Sequence, residues 1–164
     1  FVRRRQRQMC IRDRDNDISI NKRLISKSIE HFCRPKVYPN FLKNLIKTRS
    51  NKKIKRIGCT DSSDGLFQAL QDLASASKCK AIINYEKIPK DKDWPTGDKW
   101  DEYYFFGGED YELVFSLPKK WAKNLSKLDK NINEIGFFAD GEPSIEFKDS
   151  NKNKLLNNTP FKHF

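Results

Sequence analysis

Two carboxylates and a serine hydroxyl lie close together in the stretch GCTDSSDGLFQAL, residues 58–70. Asp61, Ser63 and Asp64 follow an apolar run and precede residues with helical apolar spacing, so the sequence predicts a strand, a short loop and a helix. A helix N-terminus favours phosphate, and Mg²⁺ is usually held by one or two carboxylates together with substrate phosphates. Ordinary helix capping by Asp61 or Ser63 is the alternative, and it stays open at this point.

A second acidic stretch, FFGGEDYELVF, covers residues 105–115. Gly107 and Gly108 permit backbone angles that other residues avoid, so they can turn Glu109 and Asp110 towards a ligand. The alternative is a loop with solvated acids that leads into a strand. Taken alone, this stretch favours that alternative.

Apolar periodicity, together with Pro and Gly, predicts the elements that position these residues. Strands that alternate with helices predict an α+β fold of two layers, in which helices cover one face of a mixed β-sheet. The second helix is expected to pack through Phe41, Leu42, Leu45 and Ile46. The predicted elements are helices over 18–32 and from 39, a strand over 54–60, a helix from 66, a strand over 80–85, a loop over 86–101, a strand over 111–118, a helix over 119–128, and short strands on either side of the turn at 140–141.

Composition indicates a globular, cytoplasmic protein with no membrane partner. The 164 residues are enough for one domain with a core, and 37% of them are hydrophobic. The sequence contains neither the long apolar run of a membrane span nor the apolar segment of a secretory signal. The four cysteines form no CxxC pair, which favours reduced thiols over disulfides or a zinc site.

The formal net charge of +11 suggests a nucleic-acid partner, but its distribution argues against one. Six of the ten arginines lie within residues 1–14, and the string RQRQMCIRDR resembles translated sequencing-adapter read-through. We therefore expect residues 1–14 to be a non-native tail outside the fold; a native basic arm that binds nucleic acid is the alternative. A nucleic-acid module would also need exposed aromatic residues, whereas five phenylalanines have strand-like core patterns. These are Phe105, Phe106, Phe115, Phe137 and Phe138.

Four motifs in order resemble the C-terminal half of the thiamine-monophosphate kinase family, within the aminoimidazole-ribonucleotide-synthetase-like superfamily. They are HFCRPKVYP, DSSDGL, GGEDYELVF and the terminal PFKHF, and the resemblance covers about residues 20–164. This sequence departs from the family pattern at Val37–Tyr38, which is inserted before Pro39, and at Pro160, where glycine is usual. The second departure affects the placement of the C-terminal aromatic residue.

The resemblance implies transfer of the γ-phosphoryl group of ATP to thiamine monophosphate, with Mg²⁺, to give thiamine diphosphate. Asp61 and Asp64 would bind Mg²⁺, and Ser63 would contact ATP. Glu109 would bind the substrate, and Phe161 would supply an aromatic face for a thiamine ring. No general base is assigned, because the acceptor is already an ionised phosphate.

The resemblance also implies that residues 15–164 are a C-terminal domain without its N-terminal ATP/Mg²⁺ domain. This part is then expected to be inactive alone, and the full-length protein is expected to be a homodimer. A related ATP-dependent synthetase of the same superfamily is the alternative. The GGEDYEL motif and the terminal aromatic motif argue against it.

Overall fold

The computed structural model describes residues 22–33, 40–49, 57–108 and 111–157. The chain divides into two compact units, of which the first comprises Phe1–Tyr38 with Lys90–Thr96 and the second comprises Pro39–Pro89 with Gly97–Phe164. In the described ranges, no helix has the length and apolar character needed to cross a membrane.

The first unit contains helix α1, Lys22–Cys33, which confirms the described part of the first predicted helix. Two basic residues one turn apart on α1 pair with acids of the segment 90–96. Arg23 lies 3.1 Å from Asp93, and Lys27 lies 2.7 Å from Asp91. Leu24 is buried, whereas Ile25 and Ile29 are exposed.

The second unit contains the remaining described elements. These elements are four helices, five strands and two 3₁₀ segments. In chain order they are α2 Phe41–Thr48, β1 Gly58–Asp61, α3 Leu66–Ser77, β2 Lys80–Ile83, a 3₁₀ turn Tyr85–Lys87, α4 Asp98–Phe106, β3 Leu113–Ser116, α5 Lys119–Leu128, β4 Gly136–Ala139, β5 Ser144–Phe147 and a 3₁₀ segment Ser150–Asn157.

Within the described residues, the strands form two sheets. β1 pairs antiparallel with β3, and the register places Asp61 opposite Leu113. β2 pairs antiparallel with β4 and parallel with β5, in the order β4-β2-β5. The predicted α+β class with a mixed sheet is confirmed. The strands on either side of the turn at 140–141 do not pair with each other, because both flank β2.

The main core lies between α3, α4 and the three-stranded sheet. Helix α3 buries Ala69, Leu70, Leu73 and Ala74, and the last three of these follow the helical apolar spacing of the sequence. Burial of each large apolar side chain contributes about 1.5–3 kcal/mol to the free energy of folding. The buried face therefore holds α3 against the rest of the core. The other buried members of this core are Ala81, Ile83, Tyr85, Ile88, Phe105, Phe106, Ile145, Phe147 and Leu155.

Helix α2 packs on α5 through a smaller core. Leu45 is buried with Trp121 and Leu125, and the Trp121 indole N–H donates to the Leu45 carbonyl at 2.9 Å. Leu42 and Ile46 are 68% and 72% exposed, so the prediction of four packed positions is wrong for these two. The reason is that contact with α5 buries only a narrow stripe of this short helix.

The predicted loop over 86–101 is wrong at its C-terminal end, because residues 98–106 form helix α4. Asp98 and Asp101 lie in the first turn, where negative charge favours the helix dipole. The aromatic residues after them have modest helix propensity, so burial of Phe105 and Phe106 stabilises the helix instead. Phe105 and Phe106 are core residues as predicted, but they lie in a helix and not in a strand. The prediction that Phe137 is a core residue is wrong, because its side chain is 58% exposed.

Candidate functional site

The predicted phosphate loop connects the end of β1 to the start of α3. The Gly65 amide donates to the Ser62 carbonyl at 3.0 Å, which closes the turn, and the Ala69 amide donates to the Gly65 carbonyl at 3.1 Å. Gly65 itself occupies the N-cap position of α3. Capping by Asp61 or Ser63 is therefore wrong as an explanation of these residues, since neither occupies the position from which a side chain caps the helix.

Ser62 joins this loop to the second acidic stretch. The Ser62 amide donates to the Glu112 carbonyl at 2.9 Å, and the Glu112 amide donates to the Ser62 hydroxyl oxygen at 3.1 Å. Ser62 is only 4% exposed, so these bonds are made away from water and are costly to break. The sequence analysis missed this role, because nothing in the sequence distinguishes Ser62 from Ser63.

Gly65 makes a second connection between the two stretches. Its φ angle is +100°, and a Cβ atom at this position would lie 2.7 Å from the Phe106 carbonyl oxygen and 3.0 Å from that of Gly107. Only glycine fits both the backbone angle and this close approach. The C-terminal end of α4 therefore rests directly on the loop that carries the two aspartates.

The carboxylates of this loop face solvent. Asp61 and Asp64 are both exposed, and the Ser63 hydroxyl donates to Asp61 Oδ1 at 3.4 Å. Cys59 lies two residues before Asp61 and so shares its face of β1. Partial desolvation, followed by the negative charge of Asp61, raises the pKa of the Cys59 thiol.

The donor set suits a magnesium ion that is shared with phosphate groups. Within the four described ranges, no group of three or more His, Cys, Asp or Glu side chains could hold a metal without further ligands. Two carboxylates beside a hydroxyl nevertheless match the usual protein contribution to an Mg²⁺–nucleotide site, where phosphates and water complete the octahedron. The residue types on this loop therefore suit the ion that the sequence predicts, and the assignment of Asp61 and Asp64 as its ligands stays a prediction.

The other predicted site residues lie outside the described residues. These are Glu109, in the second stretch, and Phe161, near the C-terminus; residues 1–14 and most of HFCRPKVYP also fall outside. Tyr111, which follows Glu109–Asp110, has φ +52°, a left-handed conformation that is uncommon for a residue with a Cβ.

Comparisons with known proteins identify relatives of this chain. No protein-family model matches it. The thiamine-monophosphate kinase of Prochlorococcus marinus is 35% identical over 123 residues, which cover 75% of this chain and 37% of the relative. Across the curated relatives, the matched region spans 27% to 45% of the relative's length.

Solved structures agree with the fold. The thiamine monophosphate kinase of Aquifex aeolicus matches 80% of this chain and 42% of its own, with a TM-score of 0.57 and 23% identity, which supports the fold alone. A structure described as AaThiL complexed with AMPPCP and TMP matches 74% of this chain and 37% of its own, with a TM-score of 0.53 and 27% identity.

Proposed function

This chain belongs to the thiamine-monophosphate kinase family, and from that premise we propose that it is the C-terminal part of an enzyme that phosphorylates thiamine monophosphate. The co-substrate is ATP, whose γ-phosphoryl group is transferred to the substrate phosphate to give thiamine diphosphate and ADP. The relative solved with AMPPCP, an ATP analogue, and TMP supports this choice of ligands.

The observation that carries the proposal is the connection between DSSDGL and GGEDYEL. The paired hydrogen bonds of Ser62 and Glu112 and the contact of Gly65 with Phe106 and Gly107 bring the two acidic stretches side by side. A nucleotide phosphate at Asp61 and Asp64 would then lie near Gly107 and Glu112, which stand on either side of Glu109 in the sequence. This arrangement suits a reaction between two phosphorylated molecules.

Asp61 and Asp64 hold Mg²⁺ in this proposal, and Ser63 contacts a phosphate of ATP. When bound, Mg²⁺ neutralises phosphate charge and orients the transferring group, which is most of what phosphoryl transfer requires. The Ser63 hydroxyl donates to Asp61 Oδ1 at 3.4 Å, a long hydrogen bond, so this hydroxyl would be able to donate to a phosphate oxygen instead if Asp61 bound a cation.

Glu109 and Phe161 bind thiamine monophosphate. A carboxylate at Glu109 would accept hydrogen bonds from the aminopyrimidine of thiamine, and Phe161 would pack its ring against a thiamine ring. No side chain is assigned as a general base, because the attacking phosphate oxygen is already ionised. These two roles rest on the motifs GGEDYEL and PFKHF.

The activity requires a further part of the protein. Asp61 and Asp64 together cannot neutralise a triphosphate, so we propose that an N-terminal domain supplies the remaining Mg²⁺ and ATP contacts. The complete enzyme is proposed to be a cytoplasmic homodimer. Residues 1–14 have no part in it.

The experiment is an assay for thiamine diphosphate with ATP, Mg²⁺ and thiamine monophosphate. The expected result is product from the full-length protein and none from residues 15–164 alone, because the half-site cannot neutralise and orient ATP. Product from residues 15–164 would refute the half-site proposal. A folded full-length protein that consumes ATP only with a purine-pathway acceptor would support the related synthetase instead.

A further inference from the structure

A largely buried cluster within the second unit consists of Tyr85, Asp101 and Lys152, of which the Lys152 side chain is 25% exposed. Asp101 is 7% exposed, and the Lys152 ammonium lies 2.6 Å from its Oδ2 atom. Asp101 also forms a hydrogen bond with the buried Tyr85 hydroxyl. The Lys152 nitrogen lies 4.6 Å from the centroid of the Tyr85 ring, which adds a cation–π contact.

Two groups of this cluster are held in their protonated forms at neutral pH, the Tyr85 hydroxyl and the Lys152 ammonium. Burial, followed by the hydrogen bond to Asp101, raises the pKa of Tyr85, so its hydroxyl remains a donor. The hydrogen bond to Asp101 raises the pKa of Lys152, so its ammonium remains charged. The three side chains therefore tie together the 3₁₀ turn after β2, helix α4 and the segment Ser150–Asn157.

A continuous series of ring contacts connects the cluster to the acidic loop. The Tyr85 ring packs on Phe147 at 5.5 Å, and Phe147 packs on Phe105 at 4.9 Å. Phe106 then contacts Phe67, the second residue of α3, at 5.0 Å. The Phe106 carbonyl is also the atom nearest to a Cβ placed on Gly65.

A second ion pair between the same two elements provides a comparison. Asp98 of α4 pairs with Lys154 of the 3₁₀ segment at 2.8 Å, but both side chains are well exposed. An exposed pair contributes little to stability, whereas removal of one partner from a buried pair leaves an uncompensated charge. Of these two ion pairs, the one between Asp101 and Lys152 is thus expected to contribute more to the position of α4.

We propose that Asp101 is a positioning residue: with Lys152 and Tyr85 it holds the C-terminal end of α4 against Gly65 and so sets the position of the Asp61–Asp64 loop. The proposal rests on the proposed function, because the loop has a catalytic meaning only if it binds Mg²⁺ and ATP. Asp101 itself is not placed in contact with the reacting groups.

Hydrogen exchange in the full-length protein tests this, with Asp101→Asn compared with Asp98→Asn. We expect roughly tenfold faster exchange of the amides of residues 62–70 in Asp101→Asn, with little change in β2, because the loop opens locally. Asp98→Asn should leave both regions unchanged. Equal acceleration in β2 and the loop, or an unchanged loop, would overturn the proposal.

Tyr85→Phe provides a second variant if Asp101→Asn does not fold. It keeps the ring contact with Phe147 and removes only the hydrogen bond to Asp101. We therefore expect a smaller increase in the hydrogen-exchange rate than in Asp101→Asn, confined to the amides of residues 62–70. Unchanged exchange of these amides would count against the proposal. The exchange readout uses neither Mg²⁺ nor ATP. If the unmodified full-length protein makes no thiamine diphosphate while Asp101→Asn loosens the loop, the proposed function alone is overturned. If the unmodified protein is active and Asp101→Asn shows normal exchange, the positioning role alone is overturned.

Discussion

Replacement of Asp64 by asparagine is expected to lower turnover of the full-length enzyme about a hundredfold or more while its thermal midpoint barely changes. Asparagine keeps the shape of the side chain but loses the negative charge that Mg²⁺ requires. Asp64 is exposed and precedes the N-cap residue Gly65, and interactions of an exposed charge contribute little to stability.

The measurement is kcat at saturating ATP, Mg²⁺ and thiamine monophosphate, together with thermal unfolding. Asp72→Asn is the matched control, because Asp72 is an exposed acid on α3 that accepts a hydrogen bond from Gln68 at 2.7 Å and lies outside the loop. It should retain nearly full turnover. If Asp64→Asn also retained it, Asp64 would not be a magnesium ligand.

Gly65→Ala should destabilise the protein by about 3 kcal/mol or more. The φ angle of +100° is strained for alanine, and the new methyl group would lie 2.7 Å from the Phe106 carbonyl oxygen. Because that oxygen belongs to the backbone at the end of α4, relief requires a shift of the helix or of the loop.

A comparison with Gly97→Ala separates the cost of a positive φ angle from the cost of the close contact with the Phe106 carbonyl oxygen. Gly97 has φ +126°, but the nearest atom to its added Cβ is 4.0 Å away, so we expect only the strain, about 1–2 kcal/mol. Urea denaturation of both variants gives the difference in the free energy of unfolding. Equal losses would mean that α4 does not constrain Gly65.

The sequence predicts best the segments whose apolar period is clear. The strand, loop and helix around residues 58–77 were expected, because Leu70, Leu73 and Ala74 repeat at helical spacing. Asp61, Ser63 and Asp64 are placed together on that loop as expected. Their roles in binding Mg²⁺ and ATP stay predictions.

The parts that the sequence analysis missed depend on tertiary contacts. Helix α4 is stabilised by the burial of Phe105 and Phe106 more than by helix propensity, so its sequence resembled a loop and a strand. The exposure of Leu42 and Ile46 depends on which neighbour α2 meets. The role of Ser62 appears only when β1 pairs with β3 and brings Glu112 beside it.

The location of the bound metal tests the account most directly. Mn²⁺ replaces Mg²⁺ in the full-length protein with ATP, and paramagnetic broadening of backbone amide signals reports which residues lie near the ion. The account predicts that the signals of residues 61–65 broaden first and that a variant with both Asp61→Asn and Asp64→Asn abolishes this effect. Within residues 15–164, broadening centred elsewhere, such as at the exposed acids Asp98 and Glu142, or broadening of residues 61–65 that is unchanged in the double variant, would contradict it.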